Sequence, residues 1–201
     1  MDVTENLELG GRSLTIVHPP DAAELIDEEA FEHEEFLPYW AELWPSAVAL
    51  GRTLAALPLD GLRVVELGCG LAVPSIAASL GGARVLATDW SPDALAYAAR
   101  NACANDAELE TLRLAWAEPG ELVARAPYDL VVAADVLYER RNVAQLLALL
   151  PLLGTDVLLA DPGRPALAAF LDGAAAQWEI AEQRAPELPR GGLYRLLRRV
   201  G

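Results

Sequence analysis

Apolar positions along the chain change period several times, and each change marks an element. Over residues 3–18 they alternate: Leu7-Glu8-Leu9, a Gly10-Gly11 turn, then Ser13-Leu14-Thr15-Ile16-Val17. This reads as a β-hairpin, ended by Pro19-Pro20. Residues 21–36 are acidic and read as a mobile segment or lid. From Trp44 to Leu57 apolar residues return at helical spacing, with Pro45 near the helix start, where proline is tolerated.

Strand and helix periods then alternate. Strands are predicted over 63–67, 84–88, 111–115, 128–134 and 156–160. Helices are predicted over 74–80, 92–105 (capped by Ser91), 119–125, 142–150 and 166–176. The run 128–134 is almost continuously apolar, as in a strand covered on both faces. Two last strands, 178–184 and 193–199, have no helix between them, only a stretch rich in proline and glycine, and so predict an antiparallel pair. The alternation predicts an α/β fold: a Rossmann-like, doubly wound, mostly parallel sheet of seven strands, with the hairpin and first helix as an N-terminal extension. Such sheets bind ligands beyond the carboxyl ends of their strands. The residues just after the first four strands of the alternation therefore carry the most information.

Composition narrows the classes. A chain of 201 residues with 53% hydrophobic residues suits one domain with a large core. Its longest apolar runs are too short to span a bilayer, and Met1–Asn6 is acidic with no apolar signal region. Thirty acids against fifteen bases give −15, which repels a phosphate backbone. All fifteen bases are arginine; there is no lysine, which reads as genomic bias. Cys69 and Cys103 are too few for a disulfide scaffold, and His18 and His33 lie far apart, so no metal is expected. A reducing, cytoplasmic setting is the default.

The loop Glu66-Leu67-Gly68-Cys69-Gly70-Leu71-Ala72 joins a strand to a helix. Glycines 68 and 70 let a ligand approach the backbone, and the helix N-terminus behind them offers free N–H groups. A dinucleotide fingerprint fails, because position 73 is valine. Glu66 also has the wrong sign for a pyrophosphate; it suits a positive pole such as an ammonium or sulfonium. Asp89 ends the next strand, where a carboxylate accepts ribose hydroxyls. Trp90 and Trp116, the latter placed at the end of the third strand, are candidates to lie against an adenine or to pack at the rim. The fourth strand ends in Ala134-Asp135-Val136-Leu137-Tyr138. Asp135 sits where a substrate would meet the ligand, or else caps a helix; the ring of Tyr138 suits an amine or cation.

Together, Glu-x-Gly-x-Gly, Asp-Trp, Asp-x-x-Tyr and the terminal strand pair resemble the class I, seven-strand S-adenosylmethionine (SAM) methyltransferases, from about Leu37 onward. Tyr39-Trp40-Ala41-Glu42-Leu43-Trp44-Pro45-Ser46 and Asp135-Val136-Leu137-Tyr138 bring the chain closest to the protein-lysine methyltransferases that include the electron-transfer-flavoprotein β-subunit enzyme. The resemblance implies residues 1–43 as hairpin and lid, and 44–201 as the methyltransferase domain. It implies SAM binding by Glu66, Gly68, Cys69, Gly70, Asp89, Trp90, Trp116 and Ala134, with Trp44 covering it and S-adenosylhomocysteine as product. Asp135 and Tyr138 would shape the acceptor site. One departure stands out: the usual third glycine of the loop is Ala72. The acceptor implied is a protein lysine; a small metabolite, or SAM binding without catalysis, are the competing readings. A monomer without nucleic-acid or membrane partners is expected.

Overall fold

The computed structural model describes residues 2–21 and 38–199. The expected acidic lid therefore lies, apart from Asp21, outside the described residues. The hairpin pairs β1 (Val3–Leu9) with β2 (Arg12–His18) in antiparallel register around Gly10-Gly11. A single 3-10 turn (Tyr39–Ala41) leads to α1 (Pro45–Ala55), entered through Trp44 with Pro45 in its first turn. The alternation follows: β3 (Arg63–Leu67), α2 (Val73–Leu80), β4 (Arg84–Asp89), α3 (Pro92–Ala104), β5 (Leu109–Arg113), α4 (Gly120–Ala124), β6 (Leu130–Ala134), α5 (Arg140–Leu153), β7 (Asp156–Asp161), α6 (Leu167–Ala174), β8 (Trp178–Gln183) and β9 (Gly192–Arg198).

β3 to β9 form one sheet in the order β5-β4-β3-β6-β7-β9-β8, in which β9 alone runs against its neighbours. The predicted terminal pair is this β8–β9 ribbon, docked through β9 onto β7. Both faces of the central strands are covered. Val65, Leu67, Val131 and Leu159 pack toward one side with Leu146, Leu150, Phe170 and Trp178. Val64, Val132, Leu158 and Ala160 pack toward the other with Leu50, Leu54 and Ala77. Each such side chain contributes about 2 kcal/mol when fully buried, which explains the near-continuous apolar runs of β3, β6 and β7.

Boundaries shift by up to three residues at several elements, and three of these shifts have a plain physical cause. β5 starts and ends two residues earlier than predicted. It is an edge strand paired only with β4, whose register ends at Asp89↔Arg113. Leu114 then donates its N–H to the Asp89 carbonyl, so Trp116 lies in the turn beyond the strand rather than at its end. β6 starts at Leu130 because Tyr128 makes only an isolated bridge to Gly154, outside the ladder. α5 runs a turn past Leu150 despite Pro151. The proline ring removes one backbone donor, and Gly154 still bonds back to the Leu150 carbonyl.

Candidate active site

The carboxyl ends of β3, β4, β6 and β7, with the Tyr39–Glu42 turn and Trp44, enclose a cavity of about 270 Å³. All eleven residues singled out from the sequence line it: Trp44, Glu66, Gly68, Cys69, Gly70, Asp89, Trp90, Trp116, Ala134, Asp135 and Tyr138. Leu43, Asn142, Gln145 and Arg164, not anticipated as site residues, line it too.

The glycine loop is held from both sides. Gly68 has φ +68°, and a Cβ there would press on Val136 at 3.3 Å and meet the Trp116 ring in ordinary contact at 3.5 Å. Gly70 has φ +49°, and a Cβ there would lie 3.3 Å from the Trp40 carbonyl oxygen, so the Tyr39–Ala41 turn rests directly on the loop. Ala72 is also left-handed, at φ +63°. An alanine there costs on the order of 1 kcal/mol against glycine, so the departure noted in the sequence is a conformational cost rather than a lost contact.

Glu66 faces α2 as well as the cavity. Its Oε2 accepts hydrogen bonds from the backbone N–H and the hydroxyl of Ser75, in the first turn of that helix. Burial pushes its carboxyl up to about 8; the Ser75 bonds oppose the rise and nearby Asp89 adds to it. Asp89 uses both oxygens: Oδ2 accepts from Gly70 N at 3.0 Å and Oδ1 from Ser91 N at 3.0 Å. Burial raises its pKa, and these bonds oppose the rise. Cys69 is a buried free thiol with its pKa raised by burial.

Across the crevice, Asp135 is buried at φ +57°, a left-handed position that aspartate tolerates better than most residues. Its Oδ1 accepts from Arg164 Nε at 2.7 Å. Its Oδ2 is buried with no hydrogen-bond partner among the described residues. The Arg164 guanidinium lies over the Trp44 ring, 5.4 Å from its centroid, and Trp44 Nε1 donates to the Tyr39 carbonyl at 2.7 Å. Tyr138 sits at the mouth with its ring 5.1 Å from that of Tyr39. Burial pushes its hydroxyl to about 12, helped by the carboxylates of Asp89 and Glu139. Arg164 had no signal of its own in the sequence, because Pro162-Gly163-Arg164 reads only as a turn after a strand.

The seven-strand Rossmann-like sheet with one reversed strand, which carries the glycine loop and the carboxylates at its switch point, is a fold shared with solved methyltransferases. Magnesium protoporphyrin IX methyltransferase from Synechocystis, solved with bound SAM, superposes with a TM-score of 0.63 at 18% identity, covering 89% of this chain and 98% of that one. The lysine methyltransferase family model matches residues 37–160, and the chain belongs to that family. The electron transfer flavoprotein β-subunit lysine methyltransferase of Xenopus laevis is 37% identical over 137 residues, 63% of this chain and 53% of that protein. The protein N-lysine methyltransferase METTL21A of Danio rerio is 34% identical over 114 residues, 53% of this chain and 52% of that protein. The chain thus spans about half the length of the curated relatives it matches.

Proposed function

We propose that this chain is a SAM-dependent N-methyltransferase whose acceptor is a lysine side chain of a protein. The observation that carries the reading is the convergence of the glycine loop with three strand-end carboxylates, Glu66, Asp89 and Asp135, on one cavity rimmed by Trp44, Tyr39 and Tyr138. The donor set suits the cofactor. Asp89 keeps lone pairs for ribose hydroxyls beyond its two backbone bonds. Glu66, on giving up its proton, places a negative charge beside a cationic group, and Trp90 and Trp116 offer flat apolar faces. The names of the relatives support an amine acceptor.

When bound, SAM supplies a methyl already activated on a sulfonium, so the chain need mainly align, desolvate and deprotonate the acceptor. A lysine amine, of pKa about 10.4 in water, must lose its proton before it attacks. Asp135 is too weak a base to take that proton alone. Enclosure among Trp44, Tyr39 and Tyr138 lowers the amine's pKa by desolvation. Asp135 then accepts a hydrogen bond from the amine and orients its lone pair. The charge of −15 favours a basic protein partner and disfavours a nucleic acid.

Calorimetric titration with SAM, S-adenosylhomocysteine and NAD tests the reading. Affinities of about micromolar are expected for the two adenosyl ligands, and their loss in an Asp89→Ala control. Binding of NAD alone, or of nothing, sinks it.

A further inference from the structure

We infer that Arg164 occupies the seat taken by the acceptor's cationic nitrogen, so that acceptor binding exchanges one cation for another on Asp135. The inference rests on the methyltransferase reading and adds to it a resident occupant of the acceptor position.

Four observations carry it. A carboxylate and an aromatic face, Asp135 and Trp44, together hold the guanidinium. Those are the groups that an alkylammonium would need. The pair is single-pronged, through Nε and Oδ1, where an arginine built to stay would make a bidentate contact. Oδ2 remains buried without a hydrogen-bond partner among the described residues, an acceptor of the kind that native structures seldom leave unused. Finally, the loop carrying Arg164 does not depend on its side chain. Asp161 Oδ1 accepts from the N–H groups of both Gly163 and Arg164 at 2.7 Å, so the guanidinium can leave while the backbone stays.

Charge makes this an exchange rather than a sharing. Arg164 already fills Asp135 Oδ1 and the Trp44 face, and although Asp161 also acts on it, two cations crowded on those two groups, beside a sulfonium, would repel. An acceptor that arrives as an alkylammonium replaces the charge that Arg164 withdraws. A hydroxyl, thiol or ring carbon does not, and leaves Asp135 buried and uncompensated. The seat therefore selects basic amines over neutral acceptors.

N-acetyl-lysine methylamide, titrated by NMR against the cofactor-free protein, reads the seat directly. Arg164→Ala should bind it roughly three- to tenfold tighter than the wild type, because self-occupancy is gone. The norleucine analogue, which lacks the amine, should gain nothing. Unchanged or weaker lysine binding, or an equal gain for both probes, overturns the inference.

A second variant reads the position chemically. The native chain has no lysine, so Arg164→Lys introduces a single one. Incubated with methyl-labelled SAM, that amine should lose its proton to solvent and form the new N–C bond as the C–S bond breaks. The bonding pair stays on sulfur, leaving a neutral thioether. Mass spectrometry should find the label on the introduced lysine, and Asp135→Asn in the same background should abolish it. A variant that binds SAM but takes up no label overturns the inference while leaving the methyltransferase reading intact. If the wild type binds no SAM, that reading fails instead, and the amine titration still decides the seat.

Discussion

Glu66 sits fully enclosed at the end of β3, with its carboxyl held up at about 8 by burial. A carboxyl raised in the folded state binds a proton that the unfolded chain has released. Its stabilising contribution is complete below the ordinary carboxylate range and is lost as pH rises toward about 8. Thermal unfolding should therefore show wild type losing stability relative to Glu66→Gln between about pH 4.5 and 8, with no further divergence above. A cationic ligand beside Glu66 would favour its ionised form. SAM binding at pH 7 should then release a fraction of a proton, visible as a buffer-dependent heat in calorimetry and absent in Glu66→Gln. For Asp135, Asp135→Ala should lower turnover at least tenfold and leave SAM affinity nearly intact; lost SAM affinity would remove it from the acceptor side. The carboxylates Glu66, Asp89 and Asp135 were legible in the sequence because each follows an apolar run at a strand end. Arg164 was not. Its meeting with Asp135, 29 residues away, depends on β6 and β7 lying side by side and on the path of one turn.

At the scale of elements, Asn101 on α3 and Asn105 at its C-terminal cap do what a neighbouring strand would do. Asn105 Oδ1 accepts from Thr15 N and its Nδ2 donates to the Thr15 carbonyl, each at 2.8 Å. One turn earlier, Asn101 does the same for Val17, at 2.8 and 3.1 Å. The free edge of β2 is thereby paired to a helix, which removes an aggregation-prone edge. Asn101 Nδ2 also donates to the Leu71 carbonyl at 3.1 Å, tying the hairpin to the glycine loop. Asn101→Ala should leave several buried backbone groups unsatisfied and cost about 2–4 kcal/mol in chemical denaturation. Leu71 loosens with it, so SAM affinity should fall as well; a stable variant with unchanged affinity would uncouple hairpin and site. The hairpin itself was plain from its alternation and Gly-Gly turn. Its attachment was not, because asparagines at helical spacing carry no apolar signal. The early end of β5 escaped for a related reason. Its burial is slight, so its boundary is set by the end of β4 rather than by its own residues.

At the scale of the whole molecule, the sheet order turns at β3, with β4 and β5 on one side and β6 and β7 on the other. The crevice between β3 and β6 is the switch point at which doubly wound sheets bind ligands, and the cavity lies there. This division separates the site's residues. Asp89 ends β4, and Trp90 and Trp116 follow β4 and β5; Asp135, Tyr138 and Arg164 follow β6 and β7. Under the proposed function the first set answers to the cofactor and the second to the acceptor. Asp89→Asn should weaken SAM binding about tenfold or more, through lost hydrogen bonds to a buried site. Asp135→Asn should change it by no more than about twofold, yet abolish the gain in lysine-probe affinity expected on removing Arg164. Because the two carboxylates answer to different ligands from opposite sides of the switch point, the double variant should lose SAM affinity by the sum of the single effects, within about 0.5 kcal/mol. A strongly non-additive result would mean that Asp135 and Asp89 hold one ligand between them, and the assignment of the two halves of the sheet would have to be redrawn.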